Sequence, residues 1–290
     1  MNKLKFGIPK GSLQNATVSL FEKSGWKINV NGRSYFPSIN DDTIECSLCR
    51  AQEMSRYVEN GALDGGLTGM DWILENESDV KMIDDLVYSK VSQKQARWVL
   101  AVPASSGIKN LEDLKGKKIA TELVNVTRKF FAEKDIDVKI EFSWGATEAK
   151  VVSGLADAVV EVTETGSTIK AHGLTIIHEL MKTNTKLIAN HESIKDPWKK
   201  AKIDQISLLL KGALKAENMI GIKMNIPKDK ISAIIEILPS LNAPTVAALY
   251  KSDWVSLEVI VDISIVRDLI PQLINSGAQG IIEYPLNKVI

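Results

Sequence analysis

Residues 148–169 read EAKVVSGLADAVVEVTETGSTI, and the fold follows from where this stretch changes character. The apolar run 156–162 has the length of a buried strand. It empties into Thr163-Glu164-Thr165-Gly166-Ser167-Thr168, where small hydroxyl residues surround one glycine just before a segment compatible with a helix. Such a corner receives anions: glycine lets the backbone approach closely, the N–H groups at a helix start point at the ligand, and Thr165, Ser167 and Thr168 add hydroxyl donors. Glu148 and Glu161 flank the turn. Carboxylates beside a phosphate site suit sugar hydroxyls or a magnesium ion better than the phosphate itself. The stretch reads as a site for a phosphorylated sugar.

Upstream, residues 118–121, 126–133, 138–142 and the segment from Thr147 alternate strand, helix, strand, helix. That order predicts a mostly parallel sheet with helices on both faces. The strand RWVLAVP, 97–103, precedes it. The N-terminus repeats the pattern: strand 4–8, the turn Pro9-Lys10-Gly11-Ser12, then a helix with Leu13, Thr17, Leu20 and Phe21 on one face. Lys10 sits where α/β sheets bind ligands, although an exposed lysine in a turn is commonly only solvated. Strand 44–48 leads through Arg50 into a helix carrying Met54, Tyr57 and Val58; Arg50 suits a phosphate clamp or a surface ion pair equally. The small-residue strand end LDGGLTG, 63–69, permits close backbone approach and delivers Asp71 onto the next helix. Two such α/β domains with a ligand between them are expected.

After Gly173, TIIHEL and TKLIAN are strand-like, and an amphipathic helix spans 197–217. From Met219 the order is βαββαβ, a ferredoxin-like unit with no cluster suited to catalysis, which points to sensing or assembly. Pro271 should kink its second helix.

The 290 residues allow two or three domains, and 36 basic residues balance 36 acidic ones, so no global field recruits nucleic acid or a membrane surface. No apolar run approaches the ~18 residues of a spanning helix. The start MNKLKFGIPKG lacks signal-peptide character, which predicts a cytoplasmic protein. Cys46 and Cys49 lie on a strand, three apart and on opposite faces, and read as buried structural thiols. His172, His178 and His191 lack metal-ligand spacing.

Glu148, Gly154, Ala156, Val159, Val162, Thr165, Gly166 and Thr168 together resemble the signature of the ATP phosphoribosyltransferase family, with Glu161 where that family usually has aspartate and Ile169 where it has leucine or methionine. IPKGSL resembles the family's IPKGRL with Ser12 in place of arginine. CRAQEM, GGLTGMDW and ATELVNVTRKF also match family-like stretches, and the tail from NIPKDK to SGAQGIIEYP resembles the extra domain of the long form.

The resemblance implies two domains like those of type II periplasmic binding proteins forming a cleft, plus a C-terminal ferredoxin-like regulatory domain. The bounds it suggests are 1–95 with 174–212, then 96–173, then 213–290. It implies transfer of the 5-phosphoribosyl group of phosphoribosyl pyrophosphate to N1 of ATP, with release of pyrophosphate, Mg2+ as cofactor and histidine as inhibitor. The catalytic residues it implies are Lys10, Arg50, Glu148 and Glu161. Phosphoribosyl pyrophosphate would be held by Glu161, Thr163, Glu164, Thr165, Gly166, Ser167 and Thr168, and ATP by Lys10, Gly11, Arg50, Gly69, Asp71 and Arg128. Asn225, Leu241, Thr245 and Gly280 would hold histidine. No residue is assigned to the metal. A homo-oligomer, dimer or hexamer, without a separate regulatory subunit is implied. Asp157 has at least as good a reading as scaffold. The reading from another class is a non-catalytic small-molecule-binding module of the periplasmic-binding-protein fold, since residues 97–120 read like one; a stand-alone regulator built on the tail leaves the first two domains unexplained.

Overall fold

The computed structural model describes residues 2–32, 34–88, 95–239 and 243–290. The first lobe contains β1 (Leu4–Lys10), α1 (Gln14–Ser24), β2 (Ile28–Asn29), β3 (Ser38–Ile39), β4 (Ile44–Arg50), α2 (Ala51–Glu59), β5 (Gly65–Gly69), α3 (Met70–Asn76) and β6 (Lys81–Leu86). The second contains β7 (Ala96–Pro103), β8 (Lys118–Thr121), α4 (Val124–Ala132), β9 (Lys139–Phe142), α5 (Thr147–Val152), β10 (Ala158–Thr163), α6 (Ser167–Ala171) and β11 (Leu174–Thr183). The chain then returns through β12 (Thr185–Ala189) to the first sheet and enters α7 (Pro197–Ala216).

The first sheet has the order β4-β1-β5-β12-β6, the second β11-β7-β10-β8-β9. Each is mixed. In the second, β10, β8 and β9 are parallel, whereas β7 runs antiparallel to both β10 and β11. The return to the first lobe therefore falls at Asn184, ten residues later than the sequence reading placed it. The reason is that Leu174 to Thr183 pair along the whole of β7.

Both sheets are covered on two faces, so their strands carry apolar side chains on both sides. In the second lobe Trp98, Leu100 and Val102 of β7 enter one core with Ile119 and Phe131, while Val99 and Ala101 enter the opposite core with Val159 and Ile169. In the first lobe α2 lies close on the sheet because Gly7 and Gly66 leave room for Met54; a side chain at either glycine would collide with its sulfur. Cys46 is buried and Cys49 partly so, both are free, and burial pushes each thiol up to about 12, as inert structural thiols require.

Contacts divide the chain into two compact units, one comprising the residues through Glu22 with Trp26–Ser207, the other Lys23–Gly25 with Leu208–Ile290. In the second unit β13 (Met219–Pro227), α8 (Ile231–Ile237), β14 (Thr245–Ala248), β15 (Trp254–Asp262), α9 (Ile263–Asn275) and β16 (Gln279–Pro285) follow the βαββαβ order. All pairings in its sheet, β14-β15-β13-β16, are antiparallel. Ile222, Met224 and Ile226 of β13 meet Leu257, Val259 and Leu273 in its core. Helix α9 is capped by Asp262, which accepts from the Ser264 amide at 2.8 Å, and it runs on through Pro271.

Candidate active site

Between the two α/β lobes of the first unit lies a cleft of about 480 Å3, in the range of small-molecule sites. The C-terminal ends of β1 and β4 supply Lys10 and Arg50, and the β5–α3 junction supplies Gly69 and Asp71. From the second lobe come Trp98, Glu122 and the run Glu161, Val162, Thr163 and Glu164. These strand ends are where open α/β sheets leave their backbone groups and helix starts facing a ligand.

The two cations rest on aromatic rings. Lys10 Nζ lies 3.9 Å from the centroid of Tyr35, and Arg50 Cζ lies 4.9 Å from that of Trp144. Asp71 is different in kind. Its carboxylate is buried and accepts a 2.7 Å hydrogen bond from Trp98 Nε1, while its amide donates to Thr183 Oγ1 at 3.3 Å. Burial raises its pKa, and the indole donor opposes the rise. Asp71 thus reaches the cleft wall but spends its carboxylate on joining the lobes.

Glu161 is the second perturbed acid of the cleft. Burial, then the nearby charges of Glu148 and Glu122, raise its pKa to about 7. Glu148 stands in the first turn of α5 and does not line the cleft, contrary to its expected catalytic place; it acts on Glu161 through its charge. Glu122 follows β8 directly; it accepts from Gly145 N at 3.2 Å and from Gln52 Nε2 of the first lobe at 3.4 Å.

The hydroxyl-rich loop continues from the cleft wall at Glu164. Gly166 takes φ +79° and donates its amide to Thr163 Oγ1 at 2.8 Å, Thr165 Oγ1 donates to Ser167 Oγ at 2.9 Å, and α6 starts at Ser167. The side chains of Thr165, Ser167 and Thr168 are exposed. Asp157 is committed to structure: it accepts from Lys118 N at 2.8 Å and pairs with Lys117 at 3.5 Å.

The structure thus brings Lys10, Gly11, Arg50, Gly69, Asp71, Glu161, Thr163 and Glu164 to one cleft; Thr165, Gly166, Ser167 and Thr168 follow in the chain and do not line it. It does not bring Arg128 there. That side chain is exposed on α4 and donates to Asn125 Oδ1 at 2.9 Å. Glu122, Trp98 and Trp144 escaped the sequence reading; of these, only Glu122 carries a local signal, a carboxylate one residue beyond a strand's C-terminal end.

Residues 50–212 match the family described as "HisG: ATP phosphoribosyltransferase", and residues 216–288 match "HisG, C-terminal domain". The ATP phosphoribosyltransferase of Desulfatibacillum aliphaticivorans is 67% identical over 99% of this chain and 98% of its own length. ATP phosphoribosyltransferase 1 of Geobacter sulfurreducens is 58% identical over 99% of each. The chain belongs to the ATP phosphoribosyltransferase family. Among solved structures, the ATP phosphoribosyl transferase (HisG:HisZ) complex from Thermotoga maritima aligns with a TM-score of 0.61 at 28% identity, covering 71% of this chain and 98% of that one. The L-arginine-bound protein Tv2483, at 14% identity and TM-score 0.50, shares the fold alone. Membership in the ATP phosphoribosyltransferase family makes the chain a transferase of the first step of histidine biosynthesis, and the reading as a non-catalytic binding module is not favoured.

In the C-terminal unit, Asn225 on β13 pairs with Gln279 on β16, and its Nδ2 lies 3.5 Å from where a Cβ on Gly280 would stand. Thr245 lies on β14, the opposite edge of the same sheet. Leu241 lies outside the described residues. No helix among the described residues is long and apolar enough to cross a membrane.

Proposed function

We propose that the cleft joins phosphoribosyl pyrophosphate to ATP with the following division of labour. Glu161 accepts from the ribose hydroxyls, and the like charge of Glu148 nearby raises its pKa. The 163–168 loop donates amides and hydroxyls to the 5-phosphate. Lys10 and Arg50 meet the polyphosphate of ATP and the departing pyrophosphate. N1 of adenine then forms its bond to C1 of the ribose as the bond from C1 to the pyrophosphate oxygen breaks, and the electron pair leaves with pyrophosphate. Such a transfer, through an oxocarbenium-like state, depends on orientation and charge stabilisation and uses no nucleophilic side chain.

One observation carries this reading: the Glu161 carboxylate and Thr163–Glu164, where the glycine-hydroxyl loop begins, share a single cleft with two cations at strand ends.

Magnesium fits as an ion that arrives on the substrate phosphates. Among the described residues no group of three or more His, Cys, Asp or Glu side chains is arranged to hold a metal. Mg2+ characteristically takes one or two carboxylates plus substrate phosphates, and Glu161 and Glu122, both lining the cleft, would be the carboxylates to supply them. When bound, the ion would neutralise pyrophosphate charge.

The C-terminal unit is the histidine sensor in this proposal, within a homo-oligomer acting in the cytoplasm without a separate regulatory subunit. Thr245 and Gly280 stand on opposite edges of a four-stranded sheet, about 14 Å apart at ordinary strand spacing. A single histidine cannot span that distance. A site using both residues must take them from two copies, which favours an oligomer. Purified protein given ATP, phosphoribosyl pyrophosphate and magnesium should release pyrophosphate and form N1-(5-phosphoribosyl)-ATP, and histidine should inhibit. No turnover, with tight binding of an unrelated small molecule, would overturn the reading.

A further inference from the structure

Several cations elsewhere on the two lobes meet carboxylates: Lys118 and Lys150 both pair with Glu141, Lys186 with Asp85, Arg97 with Glu179. Lys10 and Arg50, the two cations that line the cleft among the described residues, do not. Among the described residues neither has a carboxylate partner, and each lies on the face of an aromatic ring that is itself more than half exposed, Tyr35 at 56% and Trp144 at 55%.

We propose that Trp144 and Tyr35 are positioning residues that hold Arg50 and Lys10 in the cleft with their charge uncompensated, ready for a polyphosphate. This rests on the reading of those two cations as polyphosphate contacts and extends it to residues outside the cleft wall. The physical reason is a difference between partners. A carboxylate would orient the guanidinium equally well, but it would cancel the charge and repel the incoming phosphates. A ring quadrupole attracts the cation while adding no net charge.

The geometry around Trp144 suits a fixed rest. Its neighbours are pinned on both sides: Ser143 N donates to Thr121 O at 2.9 Å, and Gly145 N donates to Glu122 Oε1 at 3.2 Å. The chain then turns through positive φ at Gly145 and Ala146, +62° and +47°, before α5 begins. Phe142 packs against the indole with ring centroids 6.1 Å apart. Trp144 belongs to the second lobe and Arg50 to the first, so the rest also sets the cation's height across the cleft. Tyr35 is fixed in the same manner, its carbonyl accepting from Leu48 N of β4 at 2.7 Å.

The test compares Trp144→Leu, Trp144→Phe and Trp144→Glu with Arg50→Ala, reading KM for ATP and kcat separately. Leucine keeps an apolar contact without a π face, and should raise KM for ATP about two- to five-fold with little change in kcat. Phenylalanine should restore most of it. Glutamate, which would pair with Arg50, should weaken ATP more than leucine does. In an Arg50→Ala background Trp144→Leu should add nothing. If Arg50→Ala weakens ATP but Trp144→Leu and Trp144→Glu do not, the aromatic rest is refuted and the polyphosphate reading survives. If Arg50→Ala leaves KM for ATP unchanged, both are refuted. Tyr35→Leu, read against Lys10→Ala, repeats the test on the other pair, and covers the case in which the Trp144 variants fail to fold.

Discussion

The carboxylate of Asp71, carried by the first lobe, accepts a 2.7 Å hydrogen bond from the indole nitrogen of Trp98, carried by the second, and both side chains are shut away from solvent. A buried carboxylate stripped of its donor bears its desolvation cost unrelieved, so Trp98→Phe should destabilise the protein by ~1–3 kcal/mol. The loss should depend on pH in a definite direction. Burial already raises the pKa of Asp71, so the folded state favours the proton; that share of stability is complete below the ordinary aspartate range and is lost as pH rises through the raised value. Removing the donor raises the pKa further. Denaturant unfolding should therefore show a larger penalty at pH 8 than at pH 4, whereas a packing loss alone would be the same at both.

A second tie between the lobes is made by Glu75 of α3. Its carboxylate accepts from Asn125 N at 2.9 and 3.0 Å and from Val126 N at 3.0 Å, so an acid of one lobe satisfies the first amides of α4 in the other. Glu75→Ala should cost ~1–3 kcal/mol and expose those amides to exchange. Hydrogen exchange at Asn125 and Val126 checks this; unchanged protection there would show that water replaces the carboxylate without loss.

Glu161 gives the third expectation, on pH. With its pKa raised to about 7 by burial and then by Glu148, the carboxylate proposed to accept ribose hydroxyls is half ionised at that value and predominates above it. The kcat/KM for phosphoribosyl pyrophosphate should rise with pH with a midpoint near pH 7, and Glu148→Gln, by removing a like charge, should move that midpoint downward. Because the folded state holds this proton, Glu161→Gln should raise the melting temperature at pH 8 more than at pH 5, while impairing turnover at both. A midpoint unmoved by Glu148→Gln would separate the two acids.

These ties mark the limit of what the sequence disclosed. The strand from Ala158, the Gly166 turn and the βαββαβ tail were legible because each is local: a run of apolar residues, a glycine needing positive φ, a periodicity that changes. Lys10 and Arg50 were legible as strand-end residues, and Glu161 as the acid of an apolar strand. The sequence places Leu174–Thr183 with the first domain, but it pairs with β7, 71 to 87 residues upstream, and nothing in TIIHEL names the strand it pairs with. Glu75, Trp98 and Trp144 act across the lobes, and such contacts exist only once the cleft has formed. The cation–ring pairs are invisible because neither Tyr35 nor Trp144 has helical or strand spacing to its cation, and Arg50 meets Trp144 only across the lobes.

The loop proposed to hold phosphate offers a test that separates chemistry from scaffold. The Thr168 hydroxyl is exposed, while its carbonyl accepts from His172 N at 3.2 Å as part of α6, so Thr168→Ala removes a donor and leaves the turn intact. A hydrogen bond to a charged phosphate is worth ~1.5–3 kcal/mol, so KM for phosphoribosyl pyrophosphate should rise on the order of ten-fold or more with an unchanged melting temperature. Gly166→Ala acts otherwise. Its φ of +79° is costly for alanine by ~1–2 kcal/mol, and the new Cβ would stand 3.3 Å from Ile176 Cδ1. That variant should lose both stability and substrate affinity. Histidine inhibition, read from the C-terminal unit, should persist in Thr168→Ala. If histidine and phosphoribosyl pyrophosphate were weakened equally by that single hydroxyl, the loop would be scaffold for the whole chain and its role in holding the 5-phosphate would be lost.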